Sequence, residues 1–296
     1  MNYLVYQSYG NKDILNECCY SILSLLKHGL NKKAVQVIIY TDQPGCFSFL
    51  PSEYIQFVVM DAITIEAYKG PHSFIHRLKI KVLEDCINRF DGNILYVDSD
   101  IYFLKPVDDL FTHITEHSFL MCNNEGAIHL KTNIVFDKFS VFIKKNKTYL
   151  EENTILIPQD VIMWNAGVIG FPSSKKKMIA DVLNTNDIIF EKFRSHVVEQ
   201  LSFSYQLQQN GMVQKSTDYV FHYWNFKEFR AILLEFFNHH RDKSSLETMI
   251  QDVDSIRPDL LIKPKMEYES LSFFRKNLRK LYGKNRWQLP AYTIGK

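Results

Sequence analysis

The first hundred residues alternate short apolar runs with stretches of helical apolar spacing, and no other feature restricts the fold of this sequence as strongly. Leu4-Val5-Tyr6, Val35 to Tyr40, Ile55 to Met60 and Ile94 to Val97 read as strands. Between the first two, Ile14 to His28 has helical spacing and stops at Gly29, a C-cap position. A second helix is predicted from Ser73 to Phe90, ending near Asp91-Gly92. Strands that alternate with helices imply an α/β domain with a mostly parallel sheet flanked by helices.

The later sequence is less regular. Phe119-Leu120-Met121, Val168 to Phe171 and Tyr219 to Phe221 are predicted strands, and Lys175 to Asn184 and Glu191 to Gln209 predicted helices, the second closed by Gly211. Residues 123 to 165 have the weakest pattern and are assigned to the acceptor side of a site. A chain of 296 residues accommodates one large catalytic domain, placed at 1–240, and a C-terminal helical extension, 241–296.

Charge and cysteine usage narrow the functional classes. A formal charge of +2 gives no reason to expect nucleic acid as a partner. No run of about twenty uninterrupted apolar residues occurs, and Met1 to Gln7 lacks the zones of a signal peptide, so a cytoplasmic protein is expected. Cys18, Cys19, Cys46, Cys86 and Cys122 are odd in number and show no C-x-x-C spacing, which supports neither a disulfide framework nor a zinc site.

Asp98-Ser99-Asp100 directly follows the apolar run Ile94 to Val97. The carboxyl ends of such strands are where open α/β sheets bind ligands. In an extended segment residues i and i+2 point to one side, so both carboxylates can aim at a single cation. Hard oxygen ligands of this kind suit Mg²⁺ or Mn²⁺. An Asp doublet after a strand is also common turn chemistry, and the pattern alone leaves both readings open.

Other residues fit the same edge. Asp42 follows the second strand and could accept from a ribose or base, with Tyr9 stacking on the base, or it could cap a helix. Arg77 and Lys81 share a helix face and would suit a diphosphate, although Glu84 and Asp85 lie one turn on and could neutralise them. Asn165-Ala166-Gly167 joins an amide suited to sugar hydroxyls with glycine's close backbone approach. His222 ends an apolar run and could be a third metal ligand or a packed imidazole. Glu199-Gln200 lies in a predicted helix and faces either a reaction centre or solvent.

Taken in order, Asp98-Ser99-Asp100-Ile101, Pro106 to Phe111, Asn165-Ala166-Gly167-Val168-Ile169, Glu199-Gln200 and His222 resemble the GT-A nucleotide-sugar glycosyltransferases, and most of all the group around glycosyltransferase family 8. The resemblance covers roughly residues 1 to 230. It implies a GT-A fold and transfer of a sugar, with retention, from a nucleotide-diphosphate donor such as a UDP-sugar to a glycan or lipid-linked acceptor. It implies Mn²⁺ or Mg²⁺ on Asp98, Asp100 and His222, with Ser99 beside the donor. Asn165, Ala166 and Gly167 would lie under the transferred sugar, and Glu199-Gln200 near the anomeric carbon. The family's His-to-Gly-Lys-Pro-Trp continuation is absent, because His222 is followed by Tyr223-Trp224-Asn225-Phe226-Lys227, so Lys227 takes the place of the diphosphate lysine. Were the reaction inverting, Glu199 or Asp160 would be the base.

Two other readings compete. D-x-D phosphatases and phosphotransferases use the first Asp as a nucleophile, but on the first strand and with Thr or Val two residues on, where this chain has Tyr102. A catalytically inactive sugar-nucleotide-binding protein would keep the same fold. The tail, 271–296, has seven basic residues and no acidic one, with Leu271, Phe274, Leu278 and Leu281 on one helical face. Such a helix suits an anionic membrane surface, which would place the protein on the inner face of the membrane.

Overall fold

A computed structural model describes residues 1–240, 243–281 and 287–288. The strands are β1 (Asn2–Gln7), β2 (Val35–Thr41), β3 (Ile55–Val59), β4 (Asn93–Val97), β5 (Ile101–Phe103), β6 (Ser118–Met121), β7 (Asn124–Ala127), β8 (Ile162–Trp164), β9 (Val168–Pro172), β10 (Met212–Lys215) and β11 (Val220–His222). Seven of them form one sheet in the order β10-β6-β9-β4-β1-β2-β3. All neighbours in it run parallel except β9, which is antiparallel to both β4 and β6. The expected mostly parallel sheet flanked by helices is therefore present.

Both faces of this sheet are covered, which explains why its central strands are continuously apolar. On β4, Leu95 and Val97 face one core with Tyr6, Val37 and the helix Lys12–Lys27. Ile94 and Tyr96 face the other, with the helices Arg77–Arg89, Lys176–Lys192 and Val198–Asn210. A third, smaller core joins the helix Ile134–Lys145 to the helix Val198–Asn210.

Several predicted boundaries shift. The first helix ends at Lys27, capped by His28, with Gly29 at a φ of 88°, in the left-handed region that favours glycine there. The second begins at Arg77 rather than Ser73: Ser73 has a φ of 49°, outside helical backbone, and Phe74 leaves the helix line to stack on Phe190. The span Glu191 to Gln209 is not one helix. Residues up to Lys192 belong to the preceding helix, and a new one starts at Val198. Residues 123–165 are ordered as the β7–β8 hairpin with the helices Ile134–Lys145 and Lys147–Glu152 between its strands.

Packing does not break at residue 240. Tyr20 donates its hydroxyl to the carbonyls of Val253 (2.9 Å) and Ile256 (3.3 Å). Met249, Val253, Ile256 and Ile262 are buried in the same core as Leu4 and Tyr6. The helix Phe273–Leu281 differs, because Phe273 and Phe274 are 83% and 72% exposed. The side chains of Lys280 and Leu281, and residues Lys284, Arg286 and Lys296, lie outside the described residues. No helix among the described residues is long and apolar enough to cross a membrane. The five cysteines are free thiols, and all but Cys46 are buried.

Candidate active site

Two strand pairings assemble the site. β4 runs beside β9, and where that ladder ends the Asp98 N–H donates to the Gly167 carbonyl (2.8 Å), so Asn165-Ala166-Gly167 lies alongside Asp98. β5 pairs antiparallel with β11, setting His222 opposite Ile101, and the Tyr223 N–H donates to the Asp100 carbonyl (3.1 Å). The outcome is that Asp98, Asp100 and His222 each present a ligand atom within 4.8 Å of the others.

Around this triad each group is held by a neighbour. His222 Nε2 lies 3.1 Å from Asp100 Oδ1 and 3.8 Å from Asp98 Oδ2. Its Nδ1 lies 3.0 Å from Asn165 Oδ1. The Asn165 amide is oriented from two sides, since the Gly167 N–H donates to Oδ1 (3.0 Å) and Nδ2 donates to Glu125 Oε1 (3.1 Å). An acceptor at Oδ1 requires the proton on His222 Nδ1, which leaves Nε2 directed at the carboxylates. Tyr96 donates its hydroxyl to Asp98 Oδ1 (2.9 Å). Lys227 Nζ lies 2.9 Å from Asp100 Oδ2.

Beneath the triad Lys79 is buried, with its ammonium 3.1 Å from Asp98, 3.3 Å from Glu199 and 3.0 Å from the Ala166 carbonyl. Burial favours its neutral form, but Asp98 and Glu199 outweigh that and hold its pKa above the usual value. One cation cannot fully compensate two anions. Glu199, almost wholly buried and near Asp98, is accordingly pushed up to about 7, with Lys79 opposing. At Asp100 burial also favours the neutral acid, yet His222 and Lys227 hold its carboxyl well below the usual range. Burial likewise opposes charge on His222, and Asp100 overrides it, raising the imidazole to about 10.

These groups open into a cavity of about 670 Å³. Lys79, Asp98, Asp100, Glu199, Gln200 and His222 line its polar part; Ile134, Phe136, Met163, Val197 and Trp224 form an apolar wall. Gln200 donates to Glu125 Oε2 (2.8 Å), so Glu125 bridges Gln200 and Asn165.

Not every residue singled out from sequence lines this cavity. Arg77 is fixed by Asp187 (2.8 Å) and the Tyr68 carbonyl, and borders a separate, smaller cavity. Lys81 pairs with Glu84, the internal neutralisation that its sequence allowed. Asp160 is exposed in the loop before β8, outside the cavity lining. Asp42 accepts from the Gly10 N–H (3.1 Å), tying the second strand's end to the turn that carries Tyr9. Ser99 is buried and donates to the Gln7 carbonyl (3.3 Å).

Sequence reasoning passed over Lys79, Tyr96, Glu125 and Trp224. Lys79 had a legible signal: it shares the apolar stripe of its helix with Val82, Leu83 and Cys86, all buried. A lysine on a core-facing stripe needs a buried counter-charge. Glu125 had none, because its partners are 40 and 75 residues away.

The donor set fits a hard divalent cation. Two carboxylates and one imidazole converge, and the nitrogen is aimed by a neighbouring amide, as ligating histidines commonly are. Position 167 must be glycine for this, since a Cβ there would lie 2.3 Å from the imidazole.

No protein-family profile matches this sequence. No curated protein sequence matches it either. Solved structures do match its fold. The glycosyltransferase GlyE of Streptococcus pneumoniae superposes with a TM-score of 0.52 at 11% identity, over 85% of this chain and 63% of that one. Mouse xyloside xylosyltransferase 1 in its apo form gives 0.45 at 10% identity, over 73% of this chain and 85% of that one. An active-site mutant of LgtC gives 0.45 at 14%, over 73% and 72%. The match to GlyE defines the class of fold: this chain folds as a GT-A-type α/β domain.

Proposed function

We propose that this protein is a metal-dependent glycosyltransferase that moves a sugar from a nucleotide-diphosphate donor, of the UDP-sugar type, to a hydroxyl of a glycan or lipid-linked acceptor. The observation that carries this reading is the convergence of Asp98, Asp100 and His222 at the carboxyl end of β4, above a buried Lys79–Glu199 pair and at the mouth of a large cavity. Mn²⁺ or Mg²⁺ held by the three residues would supply positive charge to a departing diphosphate.

The chain's own groups divide the remaining work. Lys227, on an exposed stem, is within reach of a diphosphate placed over the triad. Lys79 and Tyr96 fix Asp98. Asn165 aims His222 and shares Glu125 with Gln200, which sets two amides along one wall where sugar hydroxyls would lie. Ala166 and Gly167 bring backbone close to that position. Every carboxylate lining the cavity among the described residues is engaged: Asp98 by Lys79, Asp100 by His222 and Lys227, Glu199 by Lys79, and Glu125 by two amides. With no uncommitted carboxylate the site favours retention over inversion by a carboxylate base, with Gln200 and Glu199 steadying the anomeric centre; the imidazoles of His76 and His196 also line the cavity.

The helix Phe273–Leu281 supports a location on the inner face of a membrane. Its exposed Phe273 and Phe274 lie beside Arg275, Lys276 and Arg279, a combination suited to anionic lipid. Phe273→Ser with Phe274→Ser should release the protein from sedimenting anionic liposomes; retained sedimentation counts against the location.

The activity is tested by incubating the protein with a panel of nucleotide-sugars and Mn²⁺ and measuring nucleoside-diphosphate release. Asp100→Ala should abolish release while circular dichroism stays unchanged. Binding of UDP with Mn²⁺ but no release from any donor, with any acceptor, would favour the inactive sugar-nucleotide-binding protein.

A further inference from the structure

Both carboxylate oxygens of Asp100 face protein cations: Oδ1 faces His222 at 3.1 Å, and Oδ2 faces Lys227 at 2.9 Å. Lys79 stands against Asp98 at 3.1 Å. These cationic groups differ in their freedom. The side chains of Lys79 and His222 are each 9% exposed, and each is pinned by a further partner, the Ala166 carbonyl and the Asn165 amide. The Lys227 side chain is 52% exposed and reaches Asp100 on a flexible four-carbon stem. Its backbone is anchored on either side: Phe226 before it and Phe229 after it are buried, and Tyr223 is tied to the Asp100 carbonyl. The stem can therefore swing while the loop stays in place.

A divalent cation seated on Asp98, Asp100 and His222 draws on the same Asp100 carboxylate and repels the Lys227 ammonium. A diphosphate offers that ammonium a new partner with more negative charge than it gave up. We infer that Lys227 couples the two ligands of this site, competing with the cation for Asp100 and passing to the diphosphate when the nucleotide binds. The diphosphate half of this rests on the proposed function; the competition for Asp100 rests on geometry alone. Linkage then requires that UDP tighten the binding of Mn²⁺ and that Mn²⁺ tighten UDP by the same factor, with Lys227 supplying a share of it.

The test is Mn²⁺ binding by the full chain, followed by the electron paramagnetic resonance of free Mn²⁺, with and without UDP, for wild type, Lys227→Met and Lys227→Arg. Because the side chain is half exposed, both variants should fold, which circular dichroism checks. Lys227→Met should bind Mn²⁺ alone about tenfold more tightly than wild type, and UDP should tighten Mn²⁺ less in that variant. Lys227→Arg should keep the wild-type pattern. Equal or weaker Mn²⁺ affinity in Lys227→Met overturns the inference, as does an undiminished effect of UDP. The two readings separate: tighter Mn²⁺ binding by Lys227→Met with no nucleotide-sugar turnover by wild type sinks the transferase and keeps the competition. Turnover by wild type with unchanged Mn²⁺ affinity in Lys227→Met does the reverse.

Discussion

Gly167 and His222 divide one small volume between them: a Cβ on residue 167 would lie 2.3 Å from the imidazole ring, so the ring occupies the space that any other residue's side chain would need. This contact couples the strand beside Asp98 to the strand that ends in His222. Gly167→Ala should push the imidazole off its position. The expected result is loss of Mn²⁺ affinity by at least about tenfold and destabilisation of about 1–3 kcal/mol, read by metal titration and urea unfolding. An unchanged metal affinity would show that His222 is not a ligand.

Lys79 stands between Asp98 and Glu199 with its side chain only 9% exposed. Lys79→Met leaves two carboxylates facing each other without the cation between them. Breaking a buried pair from one side costs about 3–5 kcal/mol. Chemical denaturation should report a loss of that order in the variant.

Glu199 supplies a pH dependence whose sign follows from its raised pKa. Its ordinary value of 4.5 is lifted to about 7 by burial and the nearby Asp98, against the pull of Lys79. The folded state therefore binds the proton more tightly than the unfolded one. The stability this contributes is complete below pH 4.5 and is lost as pH rises through 7. Glu199→Gln removes the titration, so wild type should lose stability relative to the variant across that window, by about 3 kcal/mol. Parallel thermal melts in chelator, from pH 4.5 to 8, measure it; a constant difference between the two proteins refutes it.

The C-terminal residues should divide into two groups. Ile256 is fully buried in the main core, whereas Phe273 is 83% exposed. Ile256→Ala should cost about 2–4 kcal/mol, while Phe273→Ser should stay within about 0.5 kcal/mol. Equal losses would mean that the helix Phe273–Leu281 packs onto the domain in solution.

Legibility in the sequence followed the range of the interactions. The central strands of the sheet were readable because each is a short apolar run buried on both faces, and burial of that kind writes itself into consecutive residues; the edge strand Met212–Lys215, exposed or half-buried along its length, left no such run and was not read. Helix ends were read less well where the cause was distant: the late start at Arg77 comes with the stacking of Phe74 on Phe190, over a hundred residues on. Arg77 and Lys81 were the conspicuous cations of that helix, yet they pair with Asp187 and Glu84. The cavity takes Lys79, which lies about 200° around the helix from Arg77.

Asp98-Ser99-Asp100 after a buried strand was determined by sequence alone, since strand alternation and the strand's end are local facts about neighbouring residues. The gathering of His222, Asn165, Lys79 and Lys227 around those carboxylates was decided by tertiary structure. His222 reaches Asp100 across 122 residues because β11 pairs with β5 in one register, and that register is set by the packing of the whole chain. Carboxylates this close need cations, and only the folded chain selects which ones stand beside them.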